Sequence, residues 1–315
     1  KGRRWACSLA LLAAMPARRM EPGPIAHNAA TSASVGRWKE AALLLLQMES
    51  LGCEPSVISY TAMLGALGRS RMWEQALRWM RRCSNRELEP DTVLFNAAVS
   101  ACEGQESWRW SVCLVSCMRH NCSPQPDAVS YNAALAACEA GRRWSSAASL
   151  LEDMRLCGLE PGTITCNSAM SACEKGLHWG QVLLLVEEVG SRSASPSTVT
   201  CNTAMSACGK GSQWEGALEA WDAMLEMRLE ADVVTINTGI GVCERGLRWG
   251  WATGLLQTLA ALGVEPSPVT PSVAISACGR SQRWSCAMEL LRFARAHMSE
   301  LSALTYTAAV STCEK

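Results

Sequence analysis

Eight tryptophans recur along this 315-residue chain at intervals of 35 or 36 residues. They are Trp38, Trp73, Trp108, Trp144, Trp179, Trp214, Trp249 and Trp284. Seven cysteines recur at the same interval, namely Cys102, Cys138, Cys173, Cys208, Cys243, Cys278 and Cys313. Two residue types that recur at one period indicate a single supersecondary unit copied along the chain. Such a chain folds as an array in which each unit buries its apolar face against its neighbours.

Composition and cysteine spacing narrow the possible functions. Lysine plus arginine and aspartate plus glutamate number 29 each, so the net charge lacks the basic excess typical of nucleic-acid binders. Equivalent residues of stacked helices lie about 8–10 Å apart, beyond the ~7 Å Cα separation that a disulfide spans. The recurring cysteines are therefore predicted to be small buried apolar residues in a reducing compartment. The sequence has no Cys-x-x-Cys pair and no Cys/His cluster, so we predict no metal and no cofactor.

The ends of the chain resemble parts of a repeat. Residues 1–15 carry basic residues before an apolar stretch, as a signal peptide would. However, the Gly-Arg-Arg-Trp of residues 2–5 recurs at 141–144 in the middle of the chain, which favours half a repeat. We expect a fragment that begins and ends inside repeats, with any targeting segment outside it. No run reaches the ~18 apolar residues that a membrane span needs, so no membrane partner is predicted.

Each repeat is predicted to contain two helices. In residues 163–197, apolar residues recur at three- and four-residue spacing up to Cys173, Gly176 interrupts the run, and a second helix begins near Trp179. The tryptophans are in phase with the apolar stripe of that second helix, which favours core packing over base stacking. The predicted fold class is all-α, a right-handed α-solenoid (superhelix) of stacked antiparallel helix-turn-helix repeats.

We predict a single solenoid over residues 1–315, with partial repeats at 1–23 and 303–315. Eight whole repeats lie between them, at 24–56, 57–91, 92–127, 128–162, 163–197, 198–232, 233–267 and 268–302.

The fifth residue of every repeat is a small hydrogen-bonding residue. The row reads Asn28, Thr61, Asn96, Asn132, Asn167, Asn202, Asn237, Ser272 and Thr307. Asparagine is unfavourable inside a helix, so these residues either cap a helix N-terminus or form a solvent-facing recognition row. The second interpretation gains support from branched apolar residues that stand three positions earlier. These are Ile25, Ile58, Val93, Val129, Ile164, Val199, Val234, Val269 and Leu304.

A row of cations follows eight residues after the polar row. It consists of Arg69, Lys175, Lys210, Arg245, Arg280 and Lys315. Cations near a helix C-terminus are favoured by the helix dipole, which is one explanation of the row. A charged stripe that binds a polyanion is the other.

The period, the two helices and two short motifs resemble the pentatricopeptide repeat family. The motifs are Val129-Ser-Tyr-Asn132, which opens a first helix, and Glu89-Pro90-Asp91, which closes a repeat. The resemblance covers essentially the whole chain and implies a P-type array of 35-residue repeats. It further implies binding of single-stranded RNA, one base per repeat.

In the family, the small polar residue of each first helix and the last residue of the same repeat read the base together. The resemblance implies U for Asn96 with Asp127 and for Asn202 with Asp232, G for Thr61 with Asp91, and A for Ser272 with Ser302. It implies C for Asn28 with Ser56, Asn167 with Ser197 and Asn237 with Ser267. The pair Asn132 with Gly162 departs from the common combinations and assigns no base.

Read in the family's direction, the implied target is C-G-U-n-C-U-C-A from 5′ to 3′, about eight nucleotides. The residues from Ile25 to Val269 in the branched row would wedge against bases, and Arg69, Lys175, Lys210, Arg245 and Arg280 would contact phosphates. The resemblance implies a non-enzymatic protein of a chloroplast or mitochondrion that stabilises, processes or aids translation of a transcript, with protein partners supplying any catalysis. The alternative is a protein–protein interaction scaffold that uses the concave face of the solenoid.

Overall fold

The computed structural model describes residues 4–15, 22–34, 36–86, 88–120, 124–191, 196–261, 270–297 and 302–313. All regular secondary structure within these ranges is helical, which confirms the predicted all-α class. The chain divides into two compact units, Lys1–Pro161 and Gly162–Lys315.

Nine helices lie in the described part of the first unit. They are α1 (Arg4–Ala14), α2 (Pro24–Ala33), α3 (Trp38–Ser50), α4 (Val57–Arg69), α5 (Trp73–Ser84), α6 (Thr92–Ala101), α7 (Trp108–His120), α8 (Ala128–Ala140) and α9 (Trp144–Leu156).

The described part of the second unit likewise contains nine helices. They are α10 (Thr163–Lys175), α11 (Trp179–Ser191), α12 (Thr198–Lys210), α13 (Trp214–Glu226), α14 (Val233–Gly246), α15 (Trp249–Ala261), α16 (Thr270–Arg280), α17 (Trp284–His297) and α18 (Ala303–Cys313).

A helix begins at every recurring tryptophan, as the sequence predicted. We call the helix before each recurring tryptophan a first helix and the helix that the tryptophan opens a second helix. The last helix, α18, corresponds to a first helix. A tight turn joins them and includes a residue in the left-handed region, for example Arg142 with φ of 55° and Ser212 with φ of 57°. The backbone N–H of Arg143 then donates to the carbonyl of Cys138 at 2.9 Å. This bond satisfies a carbonyl at the end of α8 that would otherwise lack a partner.

Within each unit, successive first helices pack side by side. The contacts run α2–α4, α4–α6 and α6–α8 in the first unit, and α10–α12, α12–α14, α14–α16 and α16–α18 in the second. Second helices such as α3, α5 and α13 contact the first helix of their own pair and the first helix that follows. Each second helix therefore fills the groove between two first helices, and the core lies at these three-helix junctions.

The tryptophans lie at the junctions between pairs and are mostly half-buried. The indole of Trp108 abuts Gly141 at the end of the next first helix, and the guanidinium of Arg143 lies 4.9 Å from its ring centroid. Trp214 repeats the arrangement with Gly246 and with Arg248 at 3.8 Å. These two tryptophans thus pack between repeats, and an arginine guanidinium covers one face of each indole ring.

The described cysteines of the ladder from Cys102 to Cys278 are buried free thiols, as predicted. Burial raises the pKa of Cys102, Cys138 and Cys243 to about 12. These thiols remain protonated at neutral pH and pack as small apolar groups. No helix in the described ranges combines the length and apolar character needed to cross a bilayer.

The close contact of Gly141 with Trp108 predicts a stability effect. A Cβ on Gly141 would lie 2.7 Å from Cδ1 of Trp108, well inside the ~3.5–4.0 Å of carbon contacts. We expect Gly141→Ala to lower the free energy of unfolding by about 1–3 kcal/mol, because the indole must shift. The free energy of unfolding is measured by urea titration, with the helical circular dichroism signal as the readout.

Gly65 is the matched control in the same unit, since a Cβ there meets nothing within 4 Å in the middle of α4. We expect Gly65→Ala to stabilise by about 0.5–1 kcal/mol, because alanine favours helix. Equal effects of the two substitutions would contradict the role of the Trp108 contact.

Candidate functional site

The polar row lies inside the first helices. Asn167 is the fifth residue of α10, whose N-cap is Gly162, and Asn96 is the fifth residue of α6, whose N-cap is Asp91. The structure therefore excludes the capping interpretation of this row. The caps are instead the last residues of the preceding repeats: side chains of Asp91, Asp127, Ser197 and Asp232 accept bonds from backbone N–H groups of α6, α8, α12 and α14.

The branched apolar row is exposed on the same face, one turn before the polar row. Its exposed fractions are Ile25 86%, Ile58 67%, Val93 60%, Val129 59%, Ile164 72%, Val199 58% and Val234 60%. Val269 lies outside the described residues. An exposed branched side chain beside a small polar one, once per first helix, gives each unit a surface that can contact both the face and the edge of a flat ligand.

A direct hydrogen bond joins Asn96 to Asp127 in the first unit. Nδ2 of Asn96 donates to Oδ1 of Asp127 at 3.1 Å, and Oγ of Ser130 lies 2.5 Å from Oδ1 of Asn96. The Ser130 hydroxyl is also 2.9 Å from Oδ1 of Asp127, so its single proton is shared between the amide and the carboxylate. The pair that the resemblance selected is thus one connected polar cluster, with a buried serine at its base.

Asn28 and Ser56 are connected through a similar hydroxyl. Oγ of Ser59 donates to Oδ1 of Asn28 at 2.6 Å and accepts from the backbone N–H of Ser56 at 3.2 Å. Ser59 is buried as the third residue of α4. The side chain of Asn28 is therefore tied to the following first helix through its oxygen.

The second unit repeats this connection. Oγ1 of Thr200 donates to Oδ1 of Asn167 at 2.8 Å and accepts from the N–H of Ser197 at 3.2 Å. Oγ1 of Thr270 donates to Oδ1 of Asn237 at 2.6 Å. Ser267, the predicted partner of Asn237, lies outside the described residues.

Asn202 and Asp232 form a variant of the cluster. Oγ1 of Thr235 donates to Oδ1 of Asp232 at 2.8 Å, while Oδ1 of Asn202 is buried without a hydrogen-bond partner. A side-chain hydrogen bond from Asn202 to Asp232 holds the amide instead. Here the carboxylate, rather than the asparagine oxygen, takes the hydroxyl proton.

Thr61 and Asp91 lack the intervening hydroxyl, because the third residue of α6 is Leu94. Oγ1 of Thr61 donates to the carbonyl of Val57 within its own helix at 2.9 Å. Asp91 accepts from the N–H of Leu94 at 2.7 Å. Both side chains are therefore left with acceptor atoms on the exposed side.

The remaining residues of the polar row also lie on first helices. Asn132 and Ser272 are half-buried on α8 and α16. Ser302 lies 3.0 Å from the hydroxyl of Thr305, the third residue of α18, and Thr307 donates to the carbonyl of Ala303 at 2.8 Å.

The buried third-residue hydroxyls were missed by the sequence reasoning, although their recurrence is visible. Each is the third residue of its repeat and at most 2% exposed, and they are Ser59, Ser130, Thr165, Thr200, Thr235, Thr270 and Thr305. From Ser130 onwards they recur every 35 residues, two positions before the polar row. A hydroxyl at a fixed buried address is a sign of a required hydrogen bond.

The cations of the predicted phosphate row are exposed in the described chain. Nζ of Lys210 pairs with Oε1 of Glu174 at 2.8 Å, and the same oxygen accepts from Oγ of Ser206 at 2.5 Å. Nε of Arg245 donates to the carbonyl of Gly241 at 3.2 Å. Arg69, Lys175 and Arg280 occupy the last turn of their helices. Four of the five cations lie in the second unit, where Glu174 partly neutralises the row, and the first unit carries Arg69 alone.

The polar clusters change the titration of their carboxylates. Burial alone would raise the pKa of Asp127, but hydrogen bonds from Ser130, Asn96 and the N–H of Val129 outweigh it and lower the pKa. The balance is the same at Asp232, where the bonds come from Thr235, Asn202 and Val234. Both carboxylates are ionised acceptors at neutral pH. Within the described ranges, no group of three or more His, Cys, Asp and Glu residues is arranged to hold a metal ion.

Family models and solved structures match this chain. A model of the pentatricopeptide repeat domain matches residues 43–105, and a model of the PPR repeat matches residues 129–159 and 199–229. No curated protein matches the chain at the level of sequence.

Two similar solved structures are of one maize protein. The crystal structure of the pentatricopeptide repeat protein PPR10 from maize is 24% identical and aligns with a TM-score of 0.73, covering 98% of this chain and 44% of that one. PPR10 in complex with an 18-nt psaJ RNA element is 21% identical, with a TM-score of 0.76 and coverage of 98% and 45%. The present chain spans less than half of that protein, and the likeness shows a shared fold.

The lowered pKa of Asp127 predicts a pH-dependent contribution to stability. A carboxylate whose folded pKa is depressed stabilises the fold above its unfolded pKa of about 3.9 and loses that contribution as pH falls through the folded value. We expect Asp127→Ala to lower the free energy of unfolding by about 1 kcal/mol at pH 7. The difference from wild type should shrink below about pH 4, as measured by urea unfolding at several pH values.

Asp127→Ser is the control, because serine caps a helix nearly as well but does not titrate. Asp127→Ser should lower the free energy of unfolding at pH 7 by less than Asp127→Ala does. A difference between Asp127→Ala and wild type that stays constant from pH 7 to pH 2 would refute the stabilising role of the ionised carboxylate.

Proposed function

Because this chain belongs to the pentatricopeptide repeat family, we propose that it binds single-stranded RNA along the exposed face of its first helices, one base per repeat. The observation that carries the proposal is the connected pair of small polar residues on successive first helices, each beside an exposed branched side chain. PPR10, whose fold this chain shares, has been solved with RNA bound, which supports the same class of ligand here.

The donor and acceptor groups of each pair suggest which base it selects. In Asn96 with Asp127, and in Asn202 with Asp232, the amide nitrogen stands beside a carboxylate acceptor. A donor next to an acceptor complements uracil, whose Watson–Crick edge has carbonyl acceptors around the N3–H donor. We therefore propose that these two pairs read U.

Pairs of asparagine with serine offer amide donors and a hydroxyl that can donate or accept. In Asn28 and Asn167 the amide oxygen already accepts from Ser59 and Thr200, so the NH₂ group is the part that remains for a ligand. Donors suit the O2 and N3 acceptors of cytosine. These pairs are proposed to read C, as is Asn237.

Thr61 with Asp91 presents acceptors from both members, since the threonine proton is committed to Val57. Two acceptors complement the N1–H and N2–H₂ donors of guanine. The proposed target is therefore C-G-U-n for the first unit and C-U-C-A for the second, with A assigned to Ser272 and Ser302 by family resemblance. The exposed branched residues wedge against base faces.

In the cell, we propose that the protein occupies an organellar transcript and shields it from nucleases or exposes a site for processing or translation. Binding alone accounts for such a role, so catalysis would come from a partner protein. Localisation in a chloroplast or mitochondrion is proposed from family membership.

An exchange of cap residues tests the base assignment. Asp232→Ser should convert the sixth base preference from U to C, and Ser197→Asp should convert the fifth from C to U. Both substitutions keep a good N-cap, so the fold is preserved. Each preference should change by about five- to tenfold, the effect of one hydrogen bond, in fluorescence anisotropy with CGUACUCA RNA and its single-base variants.

Asn85→Ser is the matched control, since Asn85 is an exposed residue that follows α5 outside the polar row. It should leave all preferences unchanged. Folded wild-type protein that binds neither this RNA nor a scrambled one at low salt would overturn the proposal and favour a protein–protein interaction scaffold.

The ion pair of Lys210 with Glu174 predicts an electrostatic effect on binding. Glu174→Gln removes the charge that neutralises Lys210, so RNA should bind more tightly at low salt. The slope of log K against log salt should steepen by about 0.7, the value for one additional phosphate contact on a single strand.

Glu152→Gln serves as the control, because Glu152 pairs with Arg155 on the second helix α9. Its salt slope should equal that of wild type. An unchanged slope for Glu174→Gln would remove Lys210 from the phosphate row.

A further inference from the structure

The buried third-residue hydroxyls form hydrogen bonds in a fixed direction. The Oγ1 atom of Thr200 accepts from the backbone N–H of Ser197 at 3.2 Å and lies 2.8 Å from Oδ1 of Asn167. In this amide orientation the hydroxyl proton is donated to Asn167, since an amide oxygen only accepts. The Ser197 hydroxyl, 3.0 Å from Oγ1 of Thr200, is then the donor of their mutual contact. Ser59 stands in the same relation to Ser56 and Asn28.

This network favours one orientation of the asparagine amide. The oxygen and nitrogen of an amide are nearly equal in size, so packing alone does not distinguish its two orientations. A hydroxyl whose lone pairs accept from the N–H and the hydroxyl of Ser197 has its proton left to donate, and this favours the orientation with Oδ1 of Asn167 inward. The NH₂ group of Asn167 is then the part directed away from Thr200.

We propose that, where the third residue of the following repeat donates its hydroxyl to the asparagine oxygen, as Ser59 and Thr200 do, that hydroxyl is a positioning residue that sets the base preference of the asparagine before it. The inference rests on the proposed function and names a determinant outside the pair of residues that faces the base. With the hydroxyl present, the amide offers donors and selects pyrimidine acceptors. Without it, the amide can reverse and offer its oxygen to the amino and imino donors of purines.

Asn202 provides a contrast within the chain. The hydroxyl of Thr235 donates to Asp232, and Oδ1 of Asn202 is buried without a partner. The amide is held through its bond to Asp232. Loss of the Thr235 hydroxyl should therefore disturb base selection at Asn202 less than loss of the Thr200 hydroxyl disturbs it at Asn167.

The test compares Thr200→Val, Thr200→Ser and Thr235→Val in the full chain. Valine matches the shape of threonine without the hydroxyl, whereas serine retains it. Binding is measured with CGUACUCA RNA and with three variants that carry U, A or G at the fifth base. We expect Thr200→Val to reduce the preference for C over A and G at that base by about fivefold, the equivalent of a hydrogen bond of about 1 kcal/mol.

The fivefold loss should be confined to the fifth base, and Thr200→Ser should retain the wild-type preference. Thr235→Val should change the preference at the sixth base by less than twofold. Preferences are ratios measured on one protein, so a uniform loss of affinity or stability cancels. Helical circular dichroism at the assay temperature verifies that each variant is folded.

A second readout does not depend on RNA. In protein labelled with ¹⁵N-asparagine, the side-chain NH₂ signal of Asn167 is assigned by its loss in Asn167→Ser. A fixed amide should give one sharp pair of signals in wild type and in Thr200→Ser, and a shifted or broadened pair in Thr200→Val.

The outcomes separate the inference from the function on which it rests. Selective RNA binding by wild type together with an unchanged fifth-base preference in Thr200→Val would overturn the inference and leave the proposed function standing. No RNA binding by folded wild type would overturn the proposed function and the effect on base choice with it. Identical NH₂ signals in Thr200→Val and wild type would refute the positioning of the amide itself.

Discussion

Side-by-side packing of successive first helices is the constraint on which each unit of this protein depends. A single helix pair has two apolar sides and can bury them only against the pairs before and after it. The second helices fill the grooves between first helices. Three of the tryptophans that open them, Trp108, Trp179 and Trp214, abut a glycine at the end of the next first helix. Since the second helices occupy one side of this layer, the opposite face is left for the polar and branched rows.

The same packing constraint explains which features of the structure could be predicted from the sequence. Residues that serve packing must recur at the repeat period, so the tryptophans and buried cysteines predicted the helices that begin at Trp38 through Trp284 and the burial of Cys138 and Cys243. The polar row was also visible, because the fifth residue of every repeat, such as Asn167 or Asn202, is a small hydrogen-bonding residue. Whether that row capped helices was left open and needed the structure, since a shift of a few residues separates an N-cap from the second turn.

Hydrogen bonds and ion pairs between repeats were harder to predict from the sequence. Threonine is common in helices and sheets alike, and nothing in the period of Thr200 or Thr235 says which neighbour receives its proton. That choice depends on whether the cap beside it is Ser197 or Asp232, and on distances of a few tenths of an ångström. Likewise, the sequence showed Lys210 as a cation but not its pairing with Glu174 from the preceding repeat.

The hydroxyl that contacts Asn28 or Asn167 belongs to the following repeat, so the proposed recognition module is the junction between repeats rather than the repeat itself. A cut made at a repeat boundary separates an asparagine from the serine or threonine that contacts it. Transplanting or shuffling whole repeats would therefore alter the surroundings of the asparagine in the preceding repeat as well as those of the one that was moved. Exchange of segments cut between the third and fifth residues of a repeat, for example between Thr165 and Asn167, would keep each asparagine with the hydroxyl that contacts it and is the natural unit of recombination for such arrays.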